Sequence, residues 1–90
     1  MTTISIEFFG FLKEKITKRD WVLPLENPSS VALFREALAR GIASELCLTI
    51  EEATKMIAPC AIANENGILS DDDSLAVDEL ISILPPVSGG

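Results

Sequence analysis

The sequence contains no histidine and no tyrosine, only two cysteines, and half as many basic as acidic residues. Without an imidazole, every histidine-dependent triad, every Cys–His pair and the usual zinc sites are excluded. Cys47 and Cys60 are separated by twelve residues, a spacing that matches no metal or redox motif. Cys60 lies in the apolar stretch Ala58-Pro59-Cys60-Ala61-Ile62, and both thiols read as small buried hydrophobes. With seven Lys and Arg against fourteen Asp and Glu, the net charge is −7. A surface of that sign is repelled by phosphate backbones, which argues against nucleic acid and leaves basic protein surfaces as better partners. No apolar run approaches the roughly 20 residues that cross a bilayer, and no basic region followed by an apolar core opens the chain, so no membrane association and a cytoplasmic location are expected. This side-chain inventory is poor for an autonomous enzyme.

What is present is enough for one core. Of the 90 residues, 48% are hydrophobic, and no internal repeat or linker divides them. Thr3 to Phe9 alternates with Ile4, Ile6 and Phe8 on one side, the pattern of a half-buried strand. The segment from Gly10 to Asp20 carries Lys13, Glu14, Lys15, Lys18 and Arg19 and reads as a solvated turn or short helical piece. Trp21-Val22-Leu23-Pro24-Leu25 reads as a second strand hairpinned to the first, and Pro24 confines it to an edge or a strand end.

Asn27-Pro28-Ser29-Ser30 predicts a helix start, with Val31, Phe34 and Leu38 as its apolar stripe and Gly41 as its stop. Thr49-Ile50-Glu51-Glu52 fits a capping box for a second helix that Pro59 limits. Ala61-Ile62-Ala63-Asn64 predicts a buried strand running into the turn Glu65-Asn66-Gly67. Ser70-Asp71-Asp72-Asp73-Ser74 lacks the glycine and terminal glutamate of a calcium loop and reads as a solvated acidic loop. The last strand spans about Glu79 to Leu84. Strands and helices in this order predict an α+β domain, and the right-handed crossover rule places the first and last strands side by side and parallel in the middle of a mixed sheet covered on one face by helices. That is the β-grasp, or ubiquitin-like, arrangement.

Residues 1–84 are thus expected to form the domain and 85–90 a flexible C-terminal tail, Pro85-Pro86-Val87-Ser88-Gly89-Gly90. Proline ends a strand and launches the chain stiffly, while glycine passes through a channel too narrow for a side chain. Six residues at about 3.1–3.5 Å each reach roughly 20 Å, far enough for a bare carboxylate to enter another protein's active site. A frayed end with an incidental Gly-Gly is the bland alternative.

Several of these stretches resemble the small subunit of molybdopterin synthase (MoaD type), one of the ubiquitin-like sulfur carriers of the MoaD/ThiS kind. Phe8-Phe9-Gly10 followed by Lys13-Glu14 is similar to that family's Phe-Phe-Ala opening and later Arg-Glu pair. Pro28-Ser29-Ser30-Val31 through Leu38 resembles its first helix. Asn64 falls where the family carries an asparagine, and Asp78-Glu79-Leu80 resembles its Asp-Glu-Val. The ending Pro85-Pro86-Val87-Ser88-Gly89-Gly90 matches the family's terminal signature. Two features depart from the pattern: Ala76-Val77-Asp78-Glu79 stands where the family has Asp-Gly-Asp-Glu, and residues 43–56 form a longer stretch.

The resemblance implies that Gly90 is the reactive residue, adenylated and then converted to a thiocarboxylate that donates sulfur to cyclic pyranopterin monophosphate, yielding molybdopterin for the molybdenum cofactor. It also implies partners: a large synthase subunit (MoaE type), an adenylating enzyme of the ubiquitin-activating kind (MoeB type) that uses ATP and Mg²⁺, and a sulfur donor. No cofactor or metal is expected on this chain. Gly89, Ser88, Val87, Pro86 and Pro85 would contact the partner, with Leu84 and Phe9 as an apolar patch beside the tail, unless those two are core residues. The same tail chemistry would serve a carrier for thiamine thiazole or tRNA thiolation, or a ubiquitin-like modifier joined to a lysine.

Overall fold

The computed structural model describes residues 2–26, 29–75 and 79–86. Its elements are β1 (Thr2–Phe8), α1 (Phe11–Lys15), β2 (Asp20–Leu23), β3 (Ser29–Ser30), α2 (Val31–Leu46), α3 (Ile50–Ile57), β4 (Ala61–Asn64), β5 (Gly67–Leu69), β6 (Ser74–Leu75) and β7 (Leu80–Leu84). Five strands form one sheet in the order β2-β1-β7-β4-β5, and β3 pairs with β6 in a small second sheet. Strands β1 and β7 run parallel in register Ser5↔Leu80 to Phe8↔Ile83, while β2, β4 and β5 join antiparallel. The expected β-grasp arrangement is therefore present, and the last strand lies at the centre of the sheet, between β1 and β4.

The alternation in β1 works as expected. Ile4, Ile6 and Phe8 are buried with Ile81 and Ile83 of β7 and Ile62 of β4, and they share one core with Phe34, Leu38 and Ile42 of α2. Asp20–Leu23 is an edge strand, and Pro24 follows its last residue. The charged segment after Gly10 is more integrated than its composition suggests, because Leu12 and Ile16 are buried. Lys18 is not simply a solvated charge either: its ammonium stands 5.0 Å from the centre of the Trp21 ring.

Gly41 does not stop the first long helix. Helix α2 continues to Leu46 and ends at Cys47, which adopts the left-handed conformation (φ 57°) usual at this capping position. A Cβ on Gly41 would lie 3.0 and 3.1 Å from carbons of the Trp21 ring, so glycine is there for a close approach between α2 and β2. Trp21 is in turn fixed edge-on to Phe8 and donates its indole N–H to the Lys18 carbonyl. Replacing Gly41 with leucine is expected to destabilise the protein by about 1–3 kcal/mol, since overpacking outweighs the helix-propensity gain of at most about 1 kcal/mol. Thermal unfolding followed by Trp21 fluorescence measures it directly.

Helix α2 begins as expected at a serine cap, with the Ser30 hydroxyl accepting from the Leu33 N–H. Asn27 and Pro28 of the proposed start signal lie outside the described residues. The capping box at Thr49 is complete: its hydroxyl accepts from the Glu52 N–H, and the Glu52 carboxylate accepts from the Thr49 N–H. These bonds hold the Glu52 carboxyl below its ordinary pKa.

The acidic loop has a structural task that its composition conceals. The Asp73 and Asp71 carbonyls accept from the Val31 and Ala32 N–H groups, satisfying free donors at the start of α2. Arg35 then binds the Asp71 carboxylate at 3.0 Å while its other nitrogens donate to the Ile57 and Cys60 carbonyls at 3.0 and 2.8 Å. One guanidinium thereby ties α2, the end of α3 and this loop together. Residues 43–56 supply the end of α2 and most of α3, whose Ala53 and Ile57 are buried.

Candidate functional site: the root of the tail

Position follows from topology. Because β7 is central and parallel to β1, its C-terminal end emerges beside the end of β1 and the turn that leads into α1. The Phe9 N–H donates to the Ile83 carbonyl at 3.2 Å, carrying the ladder one step past Phe8. Pro85 then offers no N–H, and the pairing of β7 ends at Leu84. The ring of Pro85 rests against Gly10, whose absent Cβ would lie 2.8 Å from the proline Cγ.

Phe9 is 38% exposed, so it is not a core residue. Leu84 is half-buried and sits on the face of the sheet opposite Ile81 and Ile83. Register places Leu84 beside Ala61, Ser82 beside Glu7 and Ala63, and Ala63 beside Ile68, all on that same face. Leu80 and Ile68 there are 40% and 71% exposed. Leu84, Ala61 and Phe9 thus form an apolar row at the tail root, while Ile68 stands one row further along β4 and Leu80 lies at the opposite end of β7, near Ser5, Arg19, Asp20 and Glu65. Sequence reasoning named Leu84 and Phe9 but missed Leu80 and Ile68. Leu80 was visible in the alternation of Leu80-Ile81-Ser82-Ile83-Leu84, whereas Ile68 depended on a strand, β5, that is too short to carry a periodic signal.

Pro86 is exposed, and Val87, Ser88, Gly89 and Gly90 lie outside the described residues, as do Ala76, Val77 and Asp78 of the departure from the resembled pattern. Glu79, the next residue, accepts from the Asn64 side-chain N–H at 2.9 Å, while the Asn64 side-chain oxygen Oδ1 accepts from the Asn66 N–H. Asn64 thereby joins the β4–β5 turn to the start of β7.

The remaining chemistry-bearing groups do not converge on the root. Cys60 is buried, donates its thiol to the Met56 carbonyl and has its pKa raised by burial against an opposing pull from Arg35. It is a neutral packing residue, as its neighbours suggested. Cys47 is exposed rather than buried, because it occupies the left-handed cap of α2. Among the described residues no cluster of three or more His, Cys, Asp or Glu side chains could hold a metal ion, and the acidic loop is no exception. No helix among them is long and apolar enough to cross a membrane.

A solved structure described as the protein–protein complex of subunits 1 and 2 of molybdopterin-converting factor from Helicobacter pylori 26695 contains a similar chain. The two are 24% identical with a TM-score of 0.52, and the match covers 99% of this chain and 100% of that one. The fold is shared. No protein-family model matches the sequence, and no curated protein does. The likeness spans the whole sheet and its helices, including the central strand that delivers Pro85.

Proposed function

We propose that this chain is a sulfur carrier for molybdopterin synthesis, acting through Gly90 as a C-terminal carboxylate. The observation that carries the reading is the placement of β7: the strand lies at the centre of a fold shared with a chain of a two-subunit molybdopterin-converting factor, and it ends directly in the Pro-Pro-Val-Ser-Gly-Gly sequence. A carboxylate is a poor acyl donor because its oxygen leaves poorly. On this reading, an adenylating enzyme of the ubiquitin-activating kind lets the Gly90 carboxylate attack the α-phosphorus of Mg-bound ATP, and pyrophosphate leaves. A sulfide equivalent from a donor then displaces AMP, giving the thiocarboxylate. In the large subunit its sulfur bonds to a side-chain carbon of cyclic pyranopterin monophosphate as a C–O bond at that carbon breaks, and water then hydrolyses the resulting thioester, returning the Gly90 carboxylate and leaving the thiol on the pterin. Two such cycles supply the two sulfurs of the dithiolene.

The partner enzymes provide the bases and phosphate-binding groups in this scheme, consistent with a chain that has no histidine. The outer face of the sheet is the docking surface, from Leu84 and Phe9 at the tail root to exposed Ile68 and Leu80 further across it. Reconstitution tests the scheme: the chain, an adenylating enzyme, Mg-ATP, a sulfur donor, the large subunit and the pyranopterin should together yield molybdopterin, and omitting the chain should yield none. Product formation without the chain, or no product with every component present, would contradict it.

The docking surface carries its own expected result. Leu80→Glu is expected to weaken binding to the large subunit by about 10–30-fold, as loss of an apolar anchor does, with stability changed by less than about 1 kcal/mol. Titration calorimetry and thermal unfolding separate the two effects.

A further inference from the structure

We propose that the turn between β1 and α1 guides the tail, with Gly10 acting as a positioning residue through its contact with Pro85. The inference rests on the carrier reading and deepens it by assigning a role that the tail signature does not contain.

Gly10 has φ 61° and ψ −140°, a conformation open in practice only to glycine. That alone would explain a glycine in a turn. The contact adds a second requirement. A Cβ at this position would lie 2.8 Å from Pro85 Cγ, 3.8 Å from Cδ and 4.0 Å from Cβ. Ordinary carbon contacts are about 3.5–4.0 Å, so the proline ring occupies the place where a side chain would stand.

Both sides of the contact are anchored. On the turn side, the Gly10 carbonyl accepts from the Lys13 N–H at 3.1 Å, and Leu12 and Ile16 are buried in the core. On the strand side, the Phe9 N–H to Ile83 carbonyl bond fixes the chain one residue before Gly10 and two before Pro85. Pro85 is the first residue beyond the ladder and has a fixed φ, so the surface against which its ring leans sets the direction of departure. The reactive atom is five residues further on. A tilt of about 10° at Pro85 moves the end of an extended five-residue segment by roughly 3 Å. Misplacing a reacting group by about 1 Å can cost on the order of 100-fold in rate.

The test compares Gly10→Ala, Pro85→Ala and the double variant in single-turnover adenylation of Gly90 by the activating enzyme and Mg-ATP. An alanine in place of Pro85 lacks Cγ and Cδ, which removes the two closest obstacles to a side chain on residue 10. Each single variant is expected to lower the maximal rate by about 10–100-fold with little change in half-saturating concentration. Gly10→Ala should then add little further loss on the Pro85→Ala background, because the guide is already gone. An equal loss from Gly10→Ala on both backgrounds would reduce Gly10 to a turn residue and overturn the proposal. Pro85→Ala leaves the strained turn untouched and keeps the test valid if Gly10→Ala folds poorly; a wild-type rate for it would equally overturn the proposal. Nuclear Overhauser contacts between the Gly10 α-protons and the Pro85 ring are expected in the wild-type protein, and their absence would contradict the guide without any enzyme present. Wild-type protein that shows these contacts but is not adenylated would defeat the carrier reading itself, and the guide with it.

Discussion

Removing Gly90 is expected to abolish adenylation and sulfur transfer while leaving the folded domain as stable as the wild type. The truncated chain still ends in a carboxylate, so carboxylate chemistry as such is not lost. What is lost is reach: the terminal atom falls short by one residue, about 3.5 Å, at a site where the attacking oxygen must meet a phosphorus atom at bonding approach. No compensating slide is available, because Pro85 sits at the end of a strand paired on both sides and cannot advance without breaking that ladder. Stability should not follow activity, since among the described residues the last buried one is Ile83. A change in midpoint below about 4 °C is expected for a residue outside the core of a domain this size. Single-turnover adenylation measures the loss, and calorimetry confirms the intact fold. Unimpaired transfer by the truncated chain would contradict the tail mechanism.

The converse behaviour is expected of Phe34→Ala. Phe34 is completely buried in α2, among the residues that join the helix to the central strands. Truncating it deletes most of an aromatic side chain and leaves a void that close-packed neighbours fill only in part, a change worth about 3–5 kcal/mol. For a domain of this length each kcal/mol moves the midpoint by roughly 4–8 °C, so a fall of about 15–30 °C is expected by calorimetry. Below that lowered midpoint the surviving folded molecules retain β7, the Gly10–Pro85 contact and the tail. Adenylation at low temperature should therefore stay close to wild type. The two variants are expected to separate function from stability in opposite directions, as the proposed role of Gly90 requires.

Much of this architecture was legible from the sequence because its signals are local and strong. The alternation of Ile4, Ile6 and Phe8 gave β1 its buried face, Thr49 and Glu52 marked a helix start by mutual capping, and crossover handedness made β1 and β7 parallel neighbours. The failures share a physical cause. Gly41 looks like a helix stop because glycine often is one, but its reason lies in a distant part of the chain, the ring of Trp21. Cys47 reads as buried by type, whereas the demand for a left-handed cap brings it to the surface. The acidic loop is exposed, as its composition indicates, and only its structural task was hidden: the Asp71 and Asp73 carbonyls and the Asp71–Arg35 pair involve partners that no local pattern reveals. The site divides in the same way. The tail is explicit in composition and Leu80 in the alternation of β7, while Ile68 and the Gly10–Pro85 contact emerge only once the strands are placed in register.

The central claim is that Gly90 carries sulfur, and intact mass spectrometry tests it most directly. The protein should be isolated with an untagged C-terminus from cells making molybdenum cofactor, and compared with protein treated with the adenylating enzyme, Mg-ATP and a sulfur donor. The account predicts a species heavier by the difference between sulfur and oxygen, placed on Gly90 by fragmentation. Protein that remains unmodified under both conditions would contradict it.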